Sequence, residues 1–191
     1  LQERLVVSLG TLVLPIVLSA VLVFVLSSLI HMVLGYHAAD YTRFPDEDAL
    51  RAAIRRASPA PKQYVFPYAS GGADMKSAEF KQKMAEGPVG VLTIRPTGSA
   101  SMGKALGIWF VFALVVSVMV AYLASATLPR GTDYLKVFQV VGTTTWLAYS
   151  FGQVPASIWM GKPWSITVRE LFDGLLYGLG TAGVFGWLWP R

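Results

Sequence analysis

Apolar residues gather into four long stretches, residues 5–34, 105–128, 135–159 and 166–189, separated by one long polar segment and two short ones. An α-helix rises about 1.5 Å per residue, so about 20 residues cross the roughly 30 Å hydrocarbon layer of a bilayer. Each stretch has that length, and the pattern predicts an all-α membrane protein with four transmembrane helices. The first stretch carries no charge from Leu5 to His31. It is too long for a signal-peptide core and lacks a small-x-small cleavage site, so it reads as a retained span, bent near Pro15 where a backbone donor is missing. None of the four reads as a helix broken at mid-membrane, and no internal repeat suggests an inverted-repeat transporter.

The long polar segment, residues 35–104, is the one candidate extramembrane region: a mostly irregular, partly helical loop of about 70 residues. Asp46, Glu47 and Asp48 precede Arg51, Arg55 and Arg56, placing acids at a helix start and bases at its end, as the helix dipole favours. A second short helix is expected over residues 76–86, ending at Gly87, and a strand over 89–94. One strand cannot make a sheet, so the segment is expected to pack on a membrane surface or a partner.

Charge turns this pattern into a topology. Of the 16 Lys and Arg residues, Arg4, Arg130, Lys136 and Arg191 fall on the side of the termini, and the long loop with Lys162 and Arg169 supplies the other twelve. The positive-inside rule then places the long loop in the cytoplasm and both termini outside. The net charge of +5 thus reads as topology and contact with anionic lipid; nucleic acid is excluded as a partner. Trp109, Trp159 and Trp164 fall near one interface and Trp187 and Trp189 near the other, as aromatic belts do.

Small residues four apart let helix backbones approach in lipid. Such stripes are Gly174, Gly178, Ala182 and Gly186 in the fourth span, Ala113, Ser117, Ala121 and Ser125 in the second, and Ala148, Gly152 and Ala156 in the third. They predict a compact bundle, with faces equally suited to another polypeptide.

Candidate chemistry is sparse. The chain has no cysteine and two histidines, which excludes disulfides, thiolate zinc sites, iron–sulfur clusters and c-type haem. Gly98, Gly103 and Lys104 match the spacing of a phosphate loop, but Ala105 stands where a Ser or Thr would hold magnesium, and the next helix is a membrane span. The motif reads as a Gly/Ser connector, and no nucleotide is expected. His31 and His37, with Asp40 nearby, are the only ligand cluster, of a kind that can hold haem, a chlorophyll magnesium or a divalent metal; six residues of separation put the two rings on different faces of a continuing helix, so they read as interfacial histidines and no metal is expected. Arg169, Glu170 and Asp173 read as an interface cluster, with Thr167 and Glu170 as a capping box and Arg169 paired to Asp173. Thr143, Thr144 and Trp146, beside Tyr149, suit a small-ligand pocket, yet threonine hydroxyls also bond their own helix. His31, Thr143, Thr144, Trp146 and Asp173 are accordingly the candidate ligand contacts, and no catalytic residue set is visible.

The run from Ser27 to Leu34, the helix start at Phe44–Asp48, the Gly87–Gly90 turn and the terminal Gly186–Pro190 together resemble a family of bacterial four-span membrane proteins that carries no assigned activity. The resemblance implies a multi-pass protein of the bacterial inner membrane and transfers no site residues. The expected function is a non-catalytic accessory or scaffold subunit of a larger membrane complex, such as a photosynthetic reaction centre with its antenna or a respiratory enzyme. The alternative is a small transporter or a lipid-, quinone- or pigment-binding membrane protein. Expected partners are lipids and other membrane subunits. No intrinsic cofactor is expected, while lipid or pigment contacts fit the inventory.

Overall fold

The computed structural model describes residues 7–98 and 101–191. Leu5 and Val6 of the first stretch, Arg4 of the charge count, and Ser99 and Ala100 of the Gly/Ser connector lie outside the described residues. The chain is mostly helical and divides into two units.

The first unit is a helical bundle. A 3-10 turn, Leu9–Leu12, leads into α1 (Val13–Met32); α5 (Met102–Thr127), α6 (Tyr134–Ser150) and α8 (Trp164–Leu188) complete it. Three helical segments, Leu9–Met32, Met102–Thr127 and Trp164–Leu188, are long and apolar enough to cross a membrane. Contacts run α1–α5, α5–α6, α6–α8 and α8–α1, which closes a ring of four. Leu12, Val120, Val137, Val141 and Phe185 fill its interior, while Val13, Leu14, Val111, Val115 and Phe172 stand exposed on the outer faces.

The third apolar stretch departs from the expectation of one continuous helix. The helix α6 ends at Ser150, a 3-10 turn covers Phe151–Gln153, and the short α7 occupies Val154–Trp159. Pro155 lacks the N–H that residue 151 would bind and crowds that carbonyl, so the helix cannot pass through. The 17 residues of α6 rise about 25 Å, short of a full hydrocarbon layer.

Two of the three small-residue stripes lie inside the bundle. Ala113, Ser117 and Ala121 are buried on α5, with Ser125 half-buried at the stripe's end. On α8, a Cβ at Gly174 would collide with Ser150, and one at Gly178 would come within 2.9 Å of the Gly142 carbonyl. Gly142 lies against Ala182, and a Cβ at Gly186 would reach Tyr134 at 2.7 Å. The α6 face that meets α8 is therefore Gly142, Trp146 and Ser150. The predicted α6 stripe is not that face: Ala148 is exposed, and nothing comes within 4 Å of a Cβ built on Gly152. Ala156 belongs to the other unit.

The second unit comprises residues 41–99 and 155–162. Its α2 (Glu47–Ala57) starts where Asp46 accepts from the Ala49 amide at 3.0 Å and ends at Ser58 in the left-handed region. The expected second helix is α4 (Ala78–Glu86), capped by Ser77, which accepts from Phe80 N at 3.1 Å; a one-turn helix not expected from the sequence, α3 (Gly72–Lys76), precedes it. The expected strand, β2 (Gly90–Thr93), pairs antiparallel with β1 (Gln63–Phe66), from Gln63 opposite Thr93 to Phe66 opposite Gly90. The partner strand goes beyond the single strand expected, since Gln63–Phe66 is short and lacks strict alternation.

Candidate functional site

The helix α1 stops at Met32, where Val33 N and Leu34 N both turn back to the Leu29 carbonyl and Gly35 takes φ +65°. Glycine adopts that left-handed geometry at no steric cost. The chain reverses, and a 3-10 turn over Tyr36–Asp40 folds back onto the bundle. His37 thereby stacks on His31 with ring centroids 4.4 Å apart and planes within 5°. The expectation that six residues keep the histidines on separate faces assumes a continuing helix; the Gly35 reversal overturns it.

The same turn meets the first turns of α8. His37 Nδ1 lies 2.6 Å from Asp40 Oδ2 and its Nε2 lies 2.8 Å from Asp173 Oδ2. Tyr36 donates its hydroxyl to the other oxygen of Asp173, and Arg169 donates to Asp40. Asp40 and Asp173 have side-chain exposures of 4% and 6%. His31, half-exposed, has its Nδ1 3.0 Å from the Ser27 carbonyl and its Nε2 3.9 Å from Asp173.

Local spacing pairs Arg169 with Asp173 and caps α8 with Thr167 and Glu170. Instead α8 begins at Trp164 with Pro163 at its N-cap, a turn earlier, so Thr167 and Glu170 lie inside the helix. Arg169 reaches Asp40, and Asp173 is taken by Tyr36 and His37. Partners so far apart in the chain leave no local spacing to read; the one legible hint is the coincidence of both histidines and Asp40 just past a span end.

These contacts set the ionisation of the turn. The hydrogen bond from His37, joined by that from Arg169, outweighs burial and holds the Asp40 carboxyl below its usual range. For His37, burial disfavours the charged ring, but hydrogen bonds to Asp40 and Asp173 outweigh it and raise the imidazole above its ordinary value. Burial, reinforced by the bond to Asp173, pushes the Tyr36 phenol well upward.

Two clefts adjoin the cluster. One, of about 220 Å³, is lined by His31, Trp109, Tyr149, Glu170, Asp173 and Tyr177 among others. The other, of about 390 Å³ and almost wholly apolar, runs beside Ser28, His31, Met102 and Leu106. Trp109 lies between them and donates from Nε1 to Ser27 Oγ at 2.8 Å.

The mid-span hydroxyls stand apart from this cluster. Thr144 and Thr145 donate to the carbonyls of Val140 and Val141 four residues back, and Trp146 donates to the Leu171 carbonyl of α8 at 2.9 Å. Thr143 is exposed beside a shallow cleft with Gln139 and Leu179. Of the candidate contacts, His31 and Asp173 are thus brought together, while Thr143, Thr144 and Trp146 are not part of that site. Set against known proteins, the chain matches no family model, no curated protein and no solved structure.

Proposed function

We propose that this chain is a non-catalytic accessory or scaffold subunit of a larger bacterial inner-membrane assembly. It crosses the membrane four times, with α6 and its terminal turn as the fourth crossing, the long loop in the cytoplasm and both termini outside. Support for the fourth crossing comes from the α6–α8 seam, which follows a membrane-length helix from Gly186 to Gly174. The orientation rests on the twelve basic residues of the loop side.

The observation that carries the subunit reading is the division of the small-residue faces. Those of α5 and α8 are covered within the chain, whereas Ala148 and Gly152 are left uncovered, on the wall of the open cleft of about 220 Å³ and beside the exposed apolar side chains of Leu147 and Phe151. In lipid, an uncovered small face admits another helix backbone, and apolar surface alone gives no such preference. Partners are therefore other membrane subunits and lipid, and a photosynthetic or respiratory complex is the host to examine first. Gentle detergent extraction followed by identification of co-purifying chains tests this. The reading expects a constant ratio to partner subunits and loss of that ratio in Gly152→Leu; a stable, partner-free protein in the native extract contradicts it.

A second reading, a lipid-, quinone- or pigment-binding protein, is favoured by the apolar cleft of about 390 Å³ with His31 at its edge. It expects an extractable apolar ligand that is lost in Met102→Trp, which fills that cleft.

A further inference from the structure

We infer that His31, His37 and Asp173 form a binding site for a divalent first-row transition-metal ion at one end of the bundle. Each residue offers one ligand atom, and these atoms all lie within 4.8 Å of one another. This departs from the expectation that the chain holds no metal, and it goes beyond the subunit reading without depending on it.

Two imidazoles and one carboxylate are a nitrogen and oxygen set suited to zinc, iron(II), manganese and cobalt, and two histidines with one carboxylate recur where a metal keeps open positions. Each histidine must present a free nitrogen to the ion, and the outer contacts are arranged for that. The Ser27 carbonyl can only accept, so Nδ1 of His31 carries the proton and its Nε2 presents a lone pair. Nδ1 of His37 donates to Asp40, which leaves its Nε2 directed at Asp173. A carboxylate or carbonyl behind each ligating imidazole is the usual support of a metal site, since it fixes the tautomer and strengthens the ligand. Asp40 is in turn held by Arg169, and the second oxygen of Asp173 by Tyr36.

Charge and space agree with an ion here. Two nearly buried carboxylates face one guanidinium, and with neutral imidazoles the group carries a net negative charge before an ion enters. Three protein ligands leave at least one position of a tetrahedral ion open. Both His31 and Asp173 line the cleft of about 220 Å³, so that position faces a space large enough for water or a small ligand. The Tyr149 hydroxyl on the wall of this cleft is buried and has no hydrogen-bond partner among the described residues. A phenolic hydroxyl can donate to, or accept from, a molecule held on the open position.

The competing account is a metal-free knot in which a protonated His37 bridges both carboxylates. Cobalt(II) decides between them, because its visible absorption reports both binding and coordination number. The full chain, purified in detergent without a histidine tag and stripped by chelator, is titrated with cobalt(II) chloride and then with zinc chloride as competitor. One cobalt per chain is expected, displaced by zinc. His31→Gln, at a half-exposed position that leaves the fold intact, should weaken binding about tenfold or more, and Asp40→Asn should weaken it about 10- to 100-fold through His37. Absence of a cobalt spectrum in the folded wild-type chain overturns the site, as does unchanged affinity in His31→Gln.

Discussion

The two ends of the bundle are closed by different chemistry. Where α5 passes into α6, Trp189 donates from its indole to the Pro129 carbonyl at 3.0 Å, and Gly131 N donates to the Pro190 carbonyl at 2.9 Å. That closure is neutral and uses mainly backbone acceptors. At the opposite end, α1, the Tyr36–Asp40 turn and α8 are joined through Asp40, Asp173, His37 and Arg169. Removing an ion from water costs several kcal/mol even after relaxation, and pairing offsets this only when geometry and hydrogen bonds are good. Joining helix ends requires nothing more than the neutral device. The ionic end therefore carries a desolvation cost that the neutral end avoids, and the proposed cation would help to offset it.

Breaking the seam between the two ends should have the largest effect. Gly178→Leu drives a side chain into the Gly142 backbone, where neither helix can yield, and should destabilise the bundle by about 3 kcal/mol or more. Gly152→Ala, at an uncovered position, should change stability by less than about 0.5 kcal/mol. Unfolding from detergent micelles, followed by circular dichroism, compares the pair.

At the ionic end, Asp40→Ala leaves Arg169 without its counter-ion and His37 Nδ1 without its acceptor. Removing one partner of a buried pair costs about 3 kcal/mol, the lower limit being apt because Arg169 is partly exposed. The matching change at the neutral end, Trp189→Phe, removes one hydrogen bond and part of a buried ring and should cost about 1–2 kcal/mol. Equal losses in the same unfolding measurement would erase the contrast between the ends. A comparably small effect on stability, below about 0.5 kcal/mol, is expected of His31→Gln, whose ring is half in solvent. That variant separates the cluster's role in binding from its role in closure.

What can be read from the sequence follows from how local each feature is. The apolar runs behind α1, α5 and α8 are legible because each helix meets the bilayer requirement by itself. The α8 stripe is legible for the same reason, since spacing on one helix fixes one face. The α6 partner face escapes such reading because Gly142, Trp146 and Ser150 mix sizes that complement α8 only in three dimensions. The end of α6 is legible in principle from Pro155, whose effect the high apolar content masks. The site is half visible: His31, His37, Asp40 and Asp173 each stand out, but helical-face arithmetic cannot see past a reversal at Gly35, and no periodicity links Asp40 with Arg169.

In the proposed topology, the ionic end and the neutral end face opposite sides of a membrane. The natural absence of cysteine makes the test direct, since one introduced thiol is the only reactive thiol present. Ala39→Cys and Asp133→Cys, both at exposed positions, are treated with a membrane-impermeant maleimide in sealed inner-membrane vesicles of known orientation. Labelling of Ala39→Cys from the cytoplasmic side alone and of Asp133→Cys from the opposite side alone is the expected result. Labelling of both from the same side contradicts it.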